Sequence, residues 1–213
     1  GGVVVIYCSG RNEINGVNAH TNFKLTQTRG NEVIMLSDAS GILQDSIRLM
    51  PHKTFHSRGR EINGAGNWGV FETATPNTNN TGVMQEYEDK PVFSQNSGYY
   101  SAAINLILTS SNPNSSIYYT TNGDRPTINS NLYTGPINIA NTTIVKAICY
   151  NPATNVPSSF IEYHTYFIND THTIPILSIS GDSVDVLIED GVELLGNWWN
   201  GVPHEPKGTI EWF

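Results

Sequence analysis

The sequence predicts an all-β protein built from tandem immunoglobulin-like β-sandwich modules, the first expected to be incomplete, with a short C-terminal β extension. Three observations support this fold class. Charged residues are only 14% of the 213 residues, so the Glu, Lys and Arg that long surface helices need are scarce. Neutral polar residues and 19 glycines take their place, which suits short strands and many turns. Short β-branched or alternating runs recur at spacings typical of sandwich strands.

The first segment, residues 1–83, contains short strand-like runs separated by turns. These runs lie at residues 3–8, 23–26, 32–36, 44–48 and 68–71, with turns at 29–31 and 38–41. Residues 75–82 contain no large apolar side chain that could anchor them. We therefore place a domain edge there and a linker at residues 84–97.

Residues 98–168 carry the strongest strand pattern. Ile104, Leu106 and Leu108 alternate, which puts them on one face of a strand. Further strand-like runs lie at residues 116–121, 132–133, 137–139, 143–150 and 159–168. Asn122-Gly123 is the pair preferred in two-residue hairpin turns. Cys149 shares a strand face with Val145 and Ala147, so we expect a small core residue there and not a disulfide with Cys8.

The last segment, residues 169–213, is expected to be the truncated start of a further domain. Ile174–Ile179 is an apolar strand, and residues 182–195 are acidic and apolar. Trp198–Gly201 and Thr209–Phe213 indicate a hairpin. The last run ends within a predicted strand, so we expect the chain to continue in a larger parent protein.

The charge of the chain excludes two classes of partner. Its formal net charge is −8 and its eleven basic residues are scattered. Nucleic acid and anionic membrane surfaces both require clustered Lys and Arg, so neither is an expected partner. No apolar run approaches the ~20 residues of a membrane span.

The middle segment resembles a known family. Residues 117–123 (Ile-Tyr-Tyr-Thr-Thr-Asn-Gly), Pro126-Thr127, residues 132–137 (Leu-Tyr-Thr-Gly-Pro-Ile) and 144–147 (Ile-Val-Lys-Ala) occur in the order and spacing of one module. It is the β-sandwich found at the C-terminal end of chitobiase and β-hexosaminidase proteins. Asn122 stands where that family often has Asp, an exchange that a turn accommodates.

Two weaker resemblances flank it. Residues 32–36 (Glu-Val-Ile-Met-Leu), Gly59-Arg60, Asn63-Gly64, Trp68 and Thr75-Pro76 resemble the second half of a lamin-tail-type domain, without its opening strands. Residues 174–179 and 210–213 resemble the entrance of a spore-coat-kinase-like (CotH-type) domain. Bacterial surface proteins often carry these modules in this order. The resemblance therefore implies an extracytoplasmic location (periplasmic, cell-surface or secreted) and neighbouring domains as partners.

The residues favour a non-catalytic accessory or spacer module. A glycosidase needs two carboxyl groups that flank the scissile bond, and the adjacent acidic pair here, Glu189-Asp190, lies in a loop-like stretch. His52 and His56 have metal-ligand spacing, but no third ligand lies near them in sequence. No catalytic residue, metal site or cofactor is predicted. The alternative is a fragment of a β-N-acetylhexosaminidase, or of a CotH-type kinase, whose catalytic domain lies outside this chain.

Exposed aromatic residues are the predicted recognition residues. Sugar rings stack their apolar C–H faces on Trp or Tyr, so a glycan or cell-surface polysaccharide is the expected ligand. Tyr118 points opposite Ile117 and Tyr119 along its strand, and one of the adjacent Trp198 and Trp199 must face outward in a strand. These three residues, Tyr118, Trp198 and Trp199, are the predicted ligand-binding residues.

An incomplete first sandwich has a further consequence. Its sheet edges would carry unpaired N–H and C=O groups, which pair readily with another strand. The sequence therefore predicts a strand-mediated homodimer.

Overall fold

The computed structural model describes residues 4–16, 18–25, 32–53, 55–62, 64–76, 78–181 and 208–213. All regular secondary structure within these ranges is β-strand, which confirms the predicted all-β class. None of these residues forms a helix long and apolar enough to cross a membrane. The chain divides into two units, Gly1–Glu86 and Tyr87–Phe213, and each is described by itself.

The described part of the first unit consists of small, separate sheets. Its strands are β1 (Ile6–Tyr7), β2 (Glu13–Asn15), β3 (Asn18–His20), β4 (Val33–Ser37), β5 (Leu43–Arg48), β6 (Ser57–Ile62) and β7 (Ala65–Phe71). β3 lies between β1 and β2, parallel to the former and antiparallel to the latter. β4 and β5 form one antiparallel hairpin, and β6 and β7 form another.

The predicted turn between β4 and β5 is confirmed. Asp38 Oδ1 accepts hydrogen bonds from the main-chain N–H groups of Ser40 (2.9 Å) and Ile42 (3.0 Å). Gly41 has a φ of 82°, a left-handed conformation that glycine adopts without a steric penalty.

One ion pair connects the two hairpins of the first unit. The Arg60 guanidinium on β6 donates two hydrogen bonds to Asp45 on β5, at 3.1 and 2.5 Å. Hydrogen bonding to Arg60 holds the pKa of Asp45 below its usual value. The guanidinium carbon also lies 5.1 Å from the centre of the Trp68 ring on β7, a cation–π distance. Arg60 therefore ties β5, β6 and β7 together.

The second unit contains the remaining strands. They are β8 (Val92–Phe93), β9 (Gly98–Tyr100), β10 (Ile104–Leu106), β11 (Leu108–Thr109), β12 (Ser116–Thr120), β13 (Asn131–Leu132), β14 (Ile137–Ile139), β15 (Thr143–Tyr150), β16 (Glu162–Ile168), β17 (Leu177–Gly181) and β18 (Gly208–Trp212). Five of them form one sheet in the order β13-β12-β15-β16-β9. β10 pairs with β14, and β11, which follows β10 directly, pairs with β8. β9 runs parallel to β16, whereas the other pairs of this sheet are antiparallel.

These strands form a two-layer sandwich with a filled core. Along β10–β11 and β15 alternate residues point into the core, as the sequence pattern predicted. The buried set is Leu106, Leu108, Ile117, Ile139, Val145, Ala147, Cys149, Tyr166 and Ile168. Cys149 is a buried free cysteine, so its predicted place in the core is confirmed.

The turn prediction at Asn122-Gly123 is wrong in one respect. Gly123 has a positive φ of 85°, but the pair does not close a two-residue hairpin, because β12 pairs with β13 about ten residues further on. Asn122 Oδ1 instead accepts the main-chain N–H of Asp124 (3.2 Å), and Thr120 Oγ1 donates to the carbonyl of Asp124 (2.7 Å). These side-chain hydrogen bonds stabilise a wider loop.

The predicted C-terminal β extension is the β17–β18 hairpin. Five residue pairs connect its antiparallel strands, from Leu177–Trp212 to Gly181–Gly208. The main-chain groups of Ile176 and Phe213 also exchange hydrogen bonds, at 3.0 and 2.9 Å.

Candidate functional site

Tyr118 lies on the outer face of the five-stranded sheet. It pairs with Leu132 on β13 and with Ile148 on β15. Ile117 is buried in the core, and Tyr119 packs against that core, with its ring centre 6.5 Å from that of Tyr133. The predicted opposite orientation of Tyr118 is therefore confirmed, although its side chain is half-buried. Its role in binding stays a prediction.

Several predicted residues lie outside the described residues. Trp198 and Trp199, which the sequence predicts to bind ligand, are among them, and so is the acidic pair Glu189-Asp190. In the part of the chain that is described, no group of three or more His, Cys, Asp or Glu side chains is arranged to hold a metal ion.

The described histidines at positions 20 and 164 have partners in the fold. His20 stacks on Tyr7 with ring centres 4.9 Å apart, and its Nδ1 lies 3.0 Å from Ser9 Oγ. His164 lies in the sandwich, where its ring centre is 4.6 Å from that of Phe93.

Within the described residues of the second unit, His164 belongs to a cluster of polar side chains that share hydrogen bonds, which we call the Ser97 network. Its members are Ser97, His164, Thr165 and Glu211. Ser97 Oγ lies 3.0 Å from His164 Nδ1, and the main-chain N–H of Ser97 donates to the same nitrogen at 3.0 Å. One carboxylate oxygen of Glu211 accepts the Ser97 hydroxyl, and the other accepts the Thr165 hydroxyl.

The Ser97 network contains the residue types of a hydrolytic triad. Its hydrogen bonds, however, hold parts of the fold together and do not activate a nucleophile. Glu162 lies 3.5 Å from His164 Nε2 and so stands in the position of a triad acid. A catalytic histidine needs a free nitrogen to accept the serine proton. Here the Nδ1 lone pair already accepts the Ser97 main-chain N–H, and the serine hydroxyl donates to Glu211. Ser97 is therefore not activated as a nucleophile.

The network holds the β17–β18 hairpin against β16. Ser178 Oγ on β17 lies 3.0 Å from Thr165 Oγ1, which adds a contact to those of Glu211 on β18. At the end of β18 the Phe213 ring meets the Phe167 ring edge to face, with centres 5.0 Å apart. Hydrogen bonds to an ionised carboxylate are about twice as strong as neutral ones, so Glu211 is the principal anchor.

In this attachment the hairpin has the reverse of the usual orientation, in which the apolar face is buried. The side chains of Ser178, Ser180, Thr209 and Glu211 lie on one face of the hairpin, where Ser180 and Thr209 also bond each other at 2.7 Å. That polar face meets the sandwich. The opposite, exposed face carries large apolar side chains, which are Leu177, Ile179, Ile210 and Trp212. Trp212, at 72% exposure, is a strongly exposed aromatic residue of this unit.

Two buried side chains of the sandwich, Cys149 and Tyr166, are not activated as nucleophiles. Burial raises the pKa of the Cys149 thiol, although a hydrogen bond with Ser110 acts in the opposite direction. Burial also raises the pKa of Tyr166, whose hydroxyl donates to the carbonyl of Gln95 at 3.0 Å. A nucleophilic thiol needs a lowered pKa, so Cys149 has a packing role.

The sequence did not identify the Ser97 network or Trp212. The members of the network come from positions 97, 164, 165 and 211, and no local motif connects them. The alternation of Ile210 and Trp212 was visible, but a strand of this pattern normally buries its apolar face. Only the partners of Glu211 reverse that orientation.

Fold and side-chain geometry together define an all-β protein whose second unit is an immunoglobulin-like sandwich with a filled core. Residues 95–161, which lie within this sandwich, match the chitobiase/beta-hexosaminidase C-terminal domain. Proteins of that family use this domain as a non-catalytic accessory module. The match covers less than half of the chain. No curated protein and no solved structure matches the chain. The lamin-tail-type and CotH-type resemblances stay predictions.

Proposed function

We propose that this chain is a non-catalytic accessory segment of a larger exported or cell-surface bacterial protein, and that it associates with glycans. The observation that carries the proposal is the match of residues 95–161 to an accessory domain of glycan-degrading enzymes. The sandwich supports it, because its interior is filled by side chains and its binding surfaces are therefore external ones.

Aromatic side chains of the second unit are the proposed contacts. Trp212 is exposed on the β17–β18 hairpin, Tyr99 is 45% exposed on β9, and Tyr118 is half-buried on β12. An exposed aromatic face stacks on the C–H face of a sugar ring without needing charge. Such single contacts bind weakly, so the expected affinity for one oligosaccharide is in the millimolar range.

Calorimetric titration with chitin-type oligosaccharides tests the proposal. We expect weak binding by the whole chain, reduced by Trp212→Ala or Tyr118→Ala. Phe55→Ala is the matched control, because Phe55 is a strongly exposed aromatic residue of the first unit. If no glycan of a broad array binds, glycan association is refuted and the chain serves as a spacer.

A further inference from the structure

The second unit has a recess at its surface, between β11 in one layer of the sandwich and the β12–β13 pair in the other. Its volume is about 440 Å³, and sites for small molecules usually have volumes of about 300–1,000 Å³. The buried side chains of Leu108 and Ile117 reach it from the core, and the turn at residues 110–115 borders it. The recess therefore has room for one small ligand.

The residues that line the recess are rich in hydroxyl groups, and none of them carries a formal charge. The lining residues with a hydroxyl group are Thr109, Ser110, Ser115, Ser116 and Tyr133. A hydroxyl group both donates and accepts hydrogen bonds, so it suits a ligand whose own polar groups are hydroxyls. Tyr133, Leu108 and Ile117 add an apolar surface on which the C–H face of a sugar ring can pack.

Ser115 supplies the hydroxyl group that is most available to a ligand. Its Oγ atom is buried and forms no hydrogen bond within the described residues. Ser115 lies two positions before the buried Ile117, the spacing that places two side chains on one face of a strand. A buried polar atom without a hydrogen-bond partner is destabilising. Because the fold gives this hydroxyl no hydrogen bond, a rotation about χ1 that turns it toward a ligand in the recess breaks none.

Hydrogen bonds fix the turn that borders the recess. Ser110 Oγ accepts the main-chain N–H of Asn112 at 3.2 Å, and Asn112 Oδ1 accepts that of Asn114 at 3.1 Å. The main-chain N–H of Ser115 donates to the carbonyl oxygen of Asn112 at 3.1 Å. A surface that is already ordered loses less conformational entropy when a ligand binds. The turn therefore holds the recess ready for a ligand.

The charges beside the recess favour a neutral ligand over an acidic one. The Asn112 side chain donates to both carboxylate oxygens of Glu88, at 3.3 Å each. Ser111 Oγ donates to Asp89 at 2.8 Å. The second unit as a whole contains four basic and twelve acidic residues, whereas the first contains seven of each. A carboxylate on a ligand would meet these acidic groups with no cation among the lining residues to offset them.

We propose that this recess binds one neutral pyranose unit of a glycan, such as glucose or N-acetylglucosamine. The proposal rests on the glycan association proposed above and gives it a site apart from the exposed aromatic faces. The hydroxyls of Ser115 and Tyr133 hydrogen-bond to the hydroxyls of the sugar. The apolar side chains of the recess pack against the C–H groups of its ring.

Titration of the isotope-labelled full chain with N-acetylglucosamine, followed by amide chemical shifts in nuclear magnetic resonance spectra, tests the proposal. We expect the largest shifts at residues 108–117 and 132–133. Ser115→Ala should weaken binding about two- to tenfold, the effect of one hydrogen bond. Its Tm should be unchanged or higher, because the fold does not use this hydroxyl. Ser101→Ala is the matched control, since Ser101 is an exposed serine of the same unit that does not line the recess.

Glucuronate, which carries a carboxylate, should bind more weakly than glucose at low ionic strength. Equal or tighter binding of glucuronate would overturn the preference for a neutral sugar. Undiminished binding by Ser115→Ala, or a lowered Tm of this variant, would overturn the assignment of its hydroxyl to the ligand. Ser115→Leu, whose larger side chain occupies part of the recess, should reduce binding further, and unchanged affinity in this variant would exclude the recess as the site.

The same titration separates the recess from the proposed function. Shifts confined to the surroundings of Trp212, Tyr99 or Tyr118 overturn the recess as the site and leave glycan association in place. If neither glucose nor N-acetylglucosamine shifts any amide of the chain, the recess proposal is refuted. The glycan array described above then decides by itself whether glycan association is refuted too.

Discussion

Glu211 determines which face of the C-terminal hairpin is buried. Its two carboxylate oxygens accept the hydroxyls of Ser97 and Thr165, and a carboxylate so placed requires its strand to turn the polar face inward. The apolar neighbours Ile210 and Trp212 are exposed as a consequence. Burying four aliphatic and aromatic side chains would normally outweigh such contacts. Here the receiving surface of β16 is itself polar at Thr165.

Replacing Glu211 should loosen the hairpin. In Glu211→Gln the side-chain NH₂ group faces a hydroxyl that donated to the carboxylate, so one charge-assisted hydrogen bond is lost, worth about 1.5–3 kcal/mol. We expect faster amide hydrogen exchange in β17 and β18. Glu88→Gln is the control, because the Glu88 carboxylate accepts hydrogen bonds from the Asn112 side chain and not from the hairpin. Unchanged exchange in β18 of Glu211→Gln would show that the anchor lies elsewhere.

At the scale of residues, the sequence predicted core positions and missed polar partnerships. Alternation identified Val145, Ala147 and Cys149 as inward-facing, because strand geometry alone fixes which neighbours share a face. The partners of Glu211 depend on which strands the fold brings together. That information is absent from any short window of sequence.

Among the strands, β7 contains a glycine that packing requires. A Cβ atom at Gly69 would lie 2.3 Å from Val83 Cγ2 and 2.6 Å from the carbonyl oxygen of Met84. The same backbone is fixed by two hydrogen bonds between Val70 and Met84, at 3.0 and 2.8 Å. The chain after β7 can approach this closely only because residue 69 has no side chain.

Gly69→Ala should therefore destabilise the first unit. The backbone carbonyl cannot move without breaking the pairing with Val70, and overpacking of this kind costs about 1–3 kcal/mol. Gly135→Ala is the matched control, because a Cβ there meets no atom within 4 Å. Urea unfolding of both variants measures the difference in the free energy of unfolding. Equal stability of the two variants would mean that β7 and residues 83–84 separate at little cost.

The strand elements were predicted better than their connections. Runs such as residues 143–150 and 104–108 correspond to β15 and to β10–β11, because alternating apolar side chains need a sheet to bury them. The Asn122-Gly123 loop was misassigned because the favoured turn type competes with side-chain hydrogen bonds to Asp124 and Thr120. The local sequence does not indicate which of these two turn conformations is more stable.

For the whole molecule, the uneven distribution of charge is the dominant electrostatic feature. The first unit is neutral, and the second carries the net charge of −8. Salt screens the repulsion among the acidic side chains of the second unit, since the Debye length falls to about 10 Å at 0.1 M ionic strength.

The parallel pairing of β9 with β16 has a mechanical consequence for the sandwich. These strands are the near-terminal ones of the sandwich, and they are aligned from Tyr166–Gly98 to Ile168–Tyr100. Tension applied through the two ends of the sandwich pulls them along their length in opposite directions. All paired residues of this contact then bear the load together in shear. An antiparallel pair of strands joined at one end would instead separate one residue pair at a time. We therefore expect the sandwich to resist stretching along these two strands.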